Sequence, residues 1–311
     1  FIYNPSITRE IKRFLPDIVI IAGSWTYPTV WKLLCSRRNN NVRYFFWVES
    51  HERRAMKAKS SNKCVSAFKK YLYMKFDGYC LPGMYAEEAM DHFVGKHGQR
   101  LRLPNLVDDV SYQHAISKRK DTYELRLKYG IPAKKRVFFC PARLLKLKGL
   151  DLFLKSAGKV KGISKACFLL AGEGPMKKEL QDIADKENLD VHFMGYCNQD
   201  TVIEFYALSD FFFLPSLQDC NPLSAIEAAF AGLPLCVSIY TGNSPELIQP
   251  YKNGVVFDIL DTEEVQACIY FLLNASEEWV SNAGRESLAI AQNSFACINE
   301  TKKFLAQLRE G

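Results

Sequence analysis

Residues 136–149 read Arg136–Val137–Phe138–Phe139–Cys140–Pro141–Ala142–Arg143–Leu144–Leu145–Lys146–Leu147–Lys148–Gly149. A short aromatic and β-branched run passes through a basic loop into a helical pattern. Ala166–Cys167–Phe168–Leu169–Leu170–Ala171 repeats the design, followed by Gly172–Glu173–Gly174–Pro175 and another helix. Working outward, similar runs occur at residues 191–194, 211–214, 235–238 and 255–258. Short apolar runs alternating with longer helical ones predict βα units around a parallel sheet, and six strands complete a doubly wound one. Toward the N-terminus, runs at 17–22, 43–48 and 78–81, with helices at 28–38 and 57–75, predict part of a second sheet.

The 311 residues are enough for two domains. Polar residues and a change of charge balance follow Pro104–Asn105–Leu106–Val107–Asp108–Asp109 and place the boundary there, giving domains at 1–112 and 113–280. A long helix over Ala283 to Leu308, within 281–311, is expected to cross back to the first domain. At 48% hydrophobic, 24% charged and 13% aromatic, the chain belongs among globular proteins, neither disordered nor collagen-like. Its longest apolar stretches, such as Ile18 to Ala22, fall far short of the roughly 18 residues that span a bilayer. The sequence opens on Phe1 with no signal-peptide pattern, so a fragment is expected. Ten scattered cysteines without a C-x-x-C pair read as reduced core thiols of a cytoplasmic protein.

The net charge of +7 is concentrated early: residues 1–115 carry 18 Lys and Arg against 10 Asp and Glu. Its densest part, Arg53 to Lys75, interleaves eight basic residues with Phe68, Tyr71, Leu72 and Tyr73. Such a basic amphipathic stripe suits an anionic membrane surface, and equally a solvated face. The excess vanishes in the second half, which argues against nucleic acid as a partner.

Chemistry gathers in the second half. Asp219 and Glu227 bracket a strand-to-helix passage in which Asn221 can cap the helix and Pro222 can open it. The amides of Leu223 and Ser224 then form an anion site at the helix start, with the two carboxylates placed for hydroxyls beside a phosphate. Both acids equally suit a purely electrostatic role at the helix N-terminus. Arg143 and Lys148 follow the first strand of the domain, where ligand loops of α/β sheets lie; a guanidinium fork and a compact ammonium suit a diphosphate, and also suit a plain surface loop. Gly195 and Gly242, after the runs at 191–194 and 235–238, allow close backbone approach to a ligand or simply turn the chain. The Gly172–Glu173–Gly174–Pro175 stretch lacks the third glycine of a dinucleotide fingerprint.

Together these pieces resemble glycosyltransferase family 4, retaining sugar-nucleotide transferases of the GT-B fold. The resemblance rests on Ala142–Arg143–Leu144 with Lys148–Gly149, Gly172–Glu173–Gly174–Pro175, Phe193–Met194–Gly195, Leu214–Pro215–Ser216 and Glu227–Ala228–Ala229–Phe230–Ala231–Gly232–Leu233–Pro234, in order across residues 136–258. It implies two Rossmann-like α/β domains, the first incomplete because its opening strand and glycine-rich loop would precede Phe1. It further implies that Arg143 and Lys148 hold the donor diphosphate, Glu227 the ribose, Asp219 the transferred sugar, and the loop of Gly195 and Tyr196 the base. Family members usually carry Glu where Asp219 stands, so reach toward the sugar is shortened. His51, at a strand end in Trp47–Val48–Glu49–Ser50–His51, matches a histidine the family places near the donor sugar, with Glu49 as the alternative.

No Asp-x-Asp occurs, so no metal and no cofactor is expected, the cations and the helix start carrying the diphosphate charge. The partners implied are a nucleotide sugar and a glycan or lipid-linked acceptor of cell-envelope polysaccharide synthesis, such as lipopolysaccharide or capsule, at the inner face of a membrane. Two other readings share the fold: a nucleotide-sugar hydrolase or epimerase, and a catalytically silent nucleotide-binding module.

Overall fold

The computed structural model describes residues 3–36, 41–49 and 63–310. The chain divides into two compact units. The first runs from α1 (Ile7–Phe14) through β1 (Ile18–Ala22), α2 (Pro28–Cys35), β2 (Arg43–Trp47), α3 (Lys63–Tyr73), β3 (Gly78–Leu81) and α4 (Met84–Val94) to β4 (Gln99–Arg102). Among the described residues its four strands are parallel, in the order β1-β2-β3-β4. One sheet face buries Phe46, Tyr79 and Leu81 against Leu33, Leu72 and Met90 of its helices.

The second unit begins at Asn105. It holds α5 (Asp109–Lys118), α6 (Thr122–Lys128), β5 (Arg136–Pro141), α7 (Leu150–Ala157), β6 (Ala166–Ala171), α8 (Lys177–Lys186), β7 (Val191–Gly195), α9 (Gln199–Leu208), β8 (Phe211–Leu214), α10 (Leu223–Phe230), β9 (Leu235–Ser238), α11 (Ser244–Leu247), β10 (Gly254–Phe257), α12 (Thr262–Leu273) and α13 (Glu277–Ser294), and α14 (Cys297–Glu310) begins in it. Six parallel strands lie in the order β10-β9-β8-β5-β6-β7, a doubly wound sheet. Every residue of β6 and β8 is buried because helices cover both faces, which is why these strands are unbroken apolar runs. Phe138, Phe153, Phe168 and Phe213 meet ring to ring in the core at 4.8–6.4 Å. Helix starts are fixed locally: Asp108, Asn198, Asp261 and Ser276 each accept a backbone N–H in the first turn of α5, α9, α12 and α13.

Three sequence expectations need correction. The division falls at Pro104/Asn105 rather than after residue 112, because Val107, Tyr112 and Ala115 enter the core of the second unit. Only residues from Thr301 join the first unit, rather than all of 281–311. Gly284 of α13 packs so closely on Gly232 that an added Cβ would meet its carbonyl oxygen at 2.3 Å, which keeps α13 with the second unit. The expected single helix over 283–308 is instead two, parted at Phe295 and Ala296, with Phe304 and Leu308 of α14 packing on Phe45, Cys80 and Leu101. None of the ten cysteines forms a disulfide, but only Cys80, Cys140, Cys167, Cys236 and Cys268 are buried, and Cys35 and Cys64 are exposed. Among the described residues no helix is long and apolar enough to cross a membrane.

Candidate functional site

The strand order reverses direction between β5 and β8, and a crevice outside the carboxyl ends of strands at such a point is where α/β sheets take ligands. The loops after β5, β8 and β9 meet there through main-chain bonds. Leu217 N–H donates to the Leu147 carbonyl at 2.8 Å, Asp219 N–H to Tyr240 at 3.1 Å, and Gly242 N–H to Asp219 at 2.8 Å. Gly149, at φ +64°, lies under the Pro215 carbonyl so closely that a Cβ would sit 2.2 Å from its oxygen.

On this platform the Lys148 ammonium donates to the Asp219 carboxylate, both side chains being mostly buried. Arg143 is exposed on the same β5 loop. Helix α10 opens beside Asp219. Pro222 occupies its N-cap position and no side chain caps it, so Asn221 is not the expected cap and Pro222 is not the first helical residue. The amides of Leu223 and Ser224, in the first turn, have no partner within the helix and are available to an anion.

Glu227 stands one turn further along α10. The Tyr206 hydroxyl lies 3.0 Å from its Oε2 and 3.1 Å from the Ser224 carbonyl, and the Tyr112 ring packs edge-on against that of Tyr206 at 5.9 Å. Burial pushes the Glu227 carboxyl above its ordinary range, against the pull of the Tyr206 and Tyr112 hydroxyls. Tyr112 and Tyr206 carry no sequence signal of this role, since an aromatic on an amphipathic helix equally suits the core; only the packing of α5, α9 and α10 brings them to the acid.

Gly172 and Gly174 serve the loop beside them. At Gly172, φ +153°, a Cβ would meet the Ala142 carbonyl oxygen at 2.1 Å, and at Gly174 the Leu144 oxygen at 2.4 Å. Their close approach, with Leu144 N–H donating to the Glu173 carbonyl at 3.0 Å, holds the strand end from which Arg143 projects. Gly195 has φ +70° and ends β7, and Tyr196 beyond it is 87% exposed. His51 lies outside the described residues.

A separate cluster, Cys167, Asp190 and His192, sits at the opposite, amino ends of β6 and β7, with ligand atoms within 4.8 Å of one another. Lys135 Nζ already donates to Asp190 at 2.9 Å and supplies positive charge there, and His192 Nε2 is 3.0 Å from the same carboxylate.

Residues 121–286 match the family of glycosyl transferases group 1. The sulfoquinovosyl transferase SQD2 of Arabidopsis thaliana is 31% identical over 292 residues, covering 91% of this chain and 55% of that protein. An alpha-monoglucosyldiacylglycerol synthase of Streptococcus pneumoniae is 25% identical over 198 residues, covering 61% of this chain and 42% of that protein. The chain thus spans about half the length of these curated relatives. Among solved structures, a sucrose-phosphate synthase from Thermosynechococcus elongatus superposes with a TM-score of 0.80 at 17% identity, covering 98% of this chain and 76% of that one. The Anabaena protein HepE, crystallised with UDP and glucose, gives 0.75 at 14%, covering 99% and 82%. With its two parallel sheets matching GT-B neighbours, and with the family match taking in more than half of its residues, the chain belongs to the glycosyl transferases group 1 family.

Proposed function

We propose that this chain carries a retaining, family 4 type glycosyl transfer from a nucleotide-diphosphate sugar to a glycan or lipid-linked acceptor, without a metal ion. The observation that carries the reading is the uncapped start of α10 at the switch point of the sheet, flanked by the Lys148–Asp219 pair and by Glu227. The first-turn amides and Lys148 take the diphosphate, with Arg143 reaching it from the β5 loop. Glu227, held by the Tyr206 hydroxyl, accepts from ribose hydroxyls; Asp219 accepts from the transferred sugar. The sugar C1–O bond to the phosphate breaks, the acceptor oxygen bonds to C1 on the same face, and its proton passes to the leaving phosphate oxygen. Lys148, Arg143 and the helix start stabilise the charge that grows on that oxygen.

A lipid-linked acceptor is favoured by the glycolipid chemistry of relatives, a diacylglycerol glycoside synthase and a phosphatidylinositol monomannoside mannosyltransferase among them, and would place the chain at the inner membrane face. The surface of α3 supports it: Val65, Phe68, Tyr71 and Met74 are exposed beside Lys63 and Lys70. Residues 53–62 of the basic stripe lie outside the described residues. Cell-envelope polysaccharide is the class of product in view.

The test is a thermal-shift panel of UDP, GDP, ADP and CMP with their sugar conjugates, on the parent and on Arg143→Ala/Lys148→Ala. Stabilisation of the parent alone by one nucleotide supports the donor site; a ligand at about 100 times its dissociation constant adds about 2.7 kcal/mol. NMR of the product then reads the anomeric configuration. Free sugar without acceptor product marks a hydrolase, and binding without turnover a silent module.

A further inference from the structure

The loop between β8 and α10 holds a buried amide with nothing to bond. Asn221 is 8% exposed, and neither its Nδ2 nor its Oδ1 has a hydrogen-bond partner. An amide side chain offers two donors and an acceptor oxygen, and native proteins rarely bury such a group unserved. Exchanging oxygen and nitrogen changes nothing, since both ends lack partners.

The main chain around it is anchored at several points. Asn105 Nδ2 donates to the Asn221 carbonyl at 3.2 Å, Asn243 Nδ2 to the Pro222 carbonyl at 3.0 Å, and Asp219 is bonded on both its N–H and its C=O to the β9 loop. Asn221 is therefore fixed between Asp219 and the open start of α10, and it does not cap that helix. It has company. Ser216 Oγ, Thr241 Oγ1 and Asn243 Oδ1, on the same two loops, are also buried without partners, and Thr241 is bridged to Asp219.

The chemistry of this set selects its ligand. A phosphate brings acceptors only and leaves the amide oxygens of Asn221 and Asn243 alone. A cation leaves the amide nitrogen alone. Hydroxyl groups donate and accept at once, and several of them on one ring satisfy such a mixed set. Resting on the donor-site reading above, we propose that Asn221 reads hydroxyls of the transferred sugar alongside Asp219, and so sets which epimer the site accepts. Asp219, shorter than glutamate, leaves hydroxyls for a neighbouring side chain to recognise.

The experiment compares UDP and GDP with UDP-glucose, UDP-galactose and GDP-mannose by calorimetry on the parent, Asn221→Leu and Asn221→Asp. Leu matches the volume without polar atoms; Asp keeps the shape, retains acceptors and loses the donors. The parent is expected to prefer one epimer, with that preference falling on the order of tenfold or more in Asn221→Leu while affinity for the bare nucleotide stays within about twofold. Asn221→Asp should lower the preference partly, and it carries the test if the Leu variant does not fold. An unchanged preference in both variants, with the Leu variant thermally stabilised, overturns the proposal and leaves Asn221 as the seat of a buried water. Nucleotide binding by a parent that does not distinguish the epimers overturns the proposal alone. Failure of the parent to bind any nucleotide overturns the donor-site reading and this proposal with it.

Discussion

Lys148 and Asp219, separated by 71 positions in the chain, form an ion pair between the loops that follow β5 and β8. The cation assigned to the donor diphosphate is thus already shared with the acid assigned to the sugar. On the proposed reading, an incoming diphosphate would compete with Asp219 for one ammonium, and the two anionic groups would repel across it.

Asp219→Asn therefore separates binding from turnover. Freed of its carboxylate, Lys148 should hold a nucleoside diphosphate up to about fivefold more tightly, the scale of a partly exposed ion pair. Transfer should fall on the order of 100-fold for want of the acid beside the sugar. Calorimetry and single-turnover assays check the two halves; weaker nucleotide binding would show that the acid does not compete for Lys148.

Glu227 makes the stability of the second unit depend on pH. Burial raises its folded pKa above the unfolded value, so the neutral form's contribution is complete below the unfolded pKa and is lost as pH rises through the folded one. Glu227→Gln has no such loss. Its Tm should exceed the parent's by about 2–4 °C at pH 8, the scale of about 1 kcal/mol in a unit of this size, and meet the parent's near pH 4. Tyr206→Phe, which removes a donor to the carboxylate, should move the acid limb of nucleotide binding to higher pH.

The glycines rank by what lies above them. Gly172→Ala drives a methyl group into the Ala142 carbonyl at an unfavourable φ and should cost at least about 2 kcal/mol in urea unfolding. At Gly195 the nearest atom is the Glu173 carboxylate oxygen at 3.0 Å, the end of a side chain that can turn aside, so Gly195→Ala should cost only about 1–2 kcal/mol.

Lys63→Glu/Lys70→Glu tests the exposed face of α3. Sedimentation with phosphatidylglycerol vesicles should drop on the order of tenfold, since each basic residue near an anionic surface contributes about 1 kcal/mol, and added salt should have the same effect on the parent. Equal sedimentation of parent and variant would remove α3 from the membrane reading.

The central strands were legible because helices cover both their faces: Ala166–Ala171 and Phe211–Leu214 fall on the residues expected. Strand β4 was hidden by its composition. In Gln99–Arg102 only Leu101 is buried, and the strand exists because β3 offers it a ladder. The break before α14 was masked by Phe295, whose burial carries the apolar rhythm across the gap. Asp219, Glu227, Lys148 and Arg143 could be picked out because their residue types and spacing signal charge chemistry in a loop. The Tyr206 hydroxyl could not, since nothing in an apolar helix face says which aromatic ring carries its oxygen to a buried acid.

Besides Gly149 and the side-chain anchors Asn105 and Asn243, main-chain bonds join the three loops at the switch point, Leu217 to Leu147 and Asp219 to both Tyr240 and Gly242. Such bonds are blind to side-chain identity. On the proposed reading, descendants of this sequence are free to exchange residues other than these anchors while the loops stay put, so a change of sugar would require point substitutions and no refolding of the scaffold.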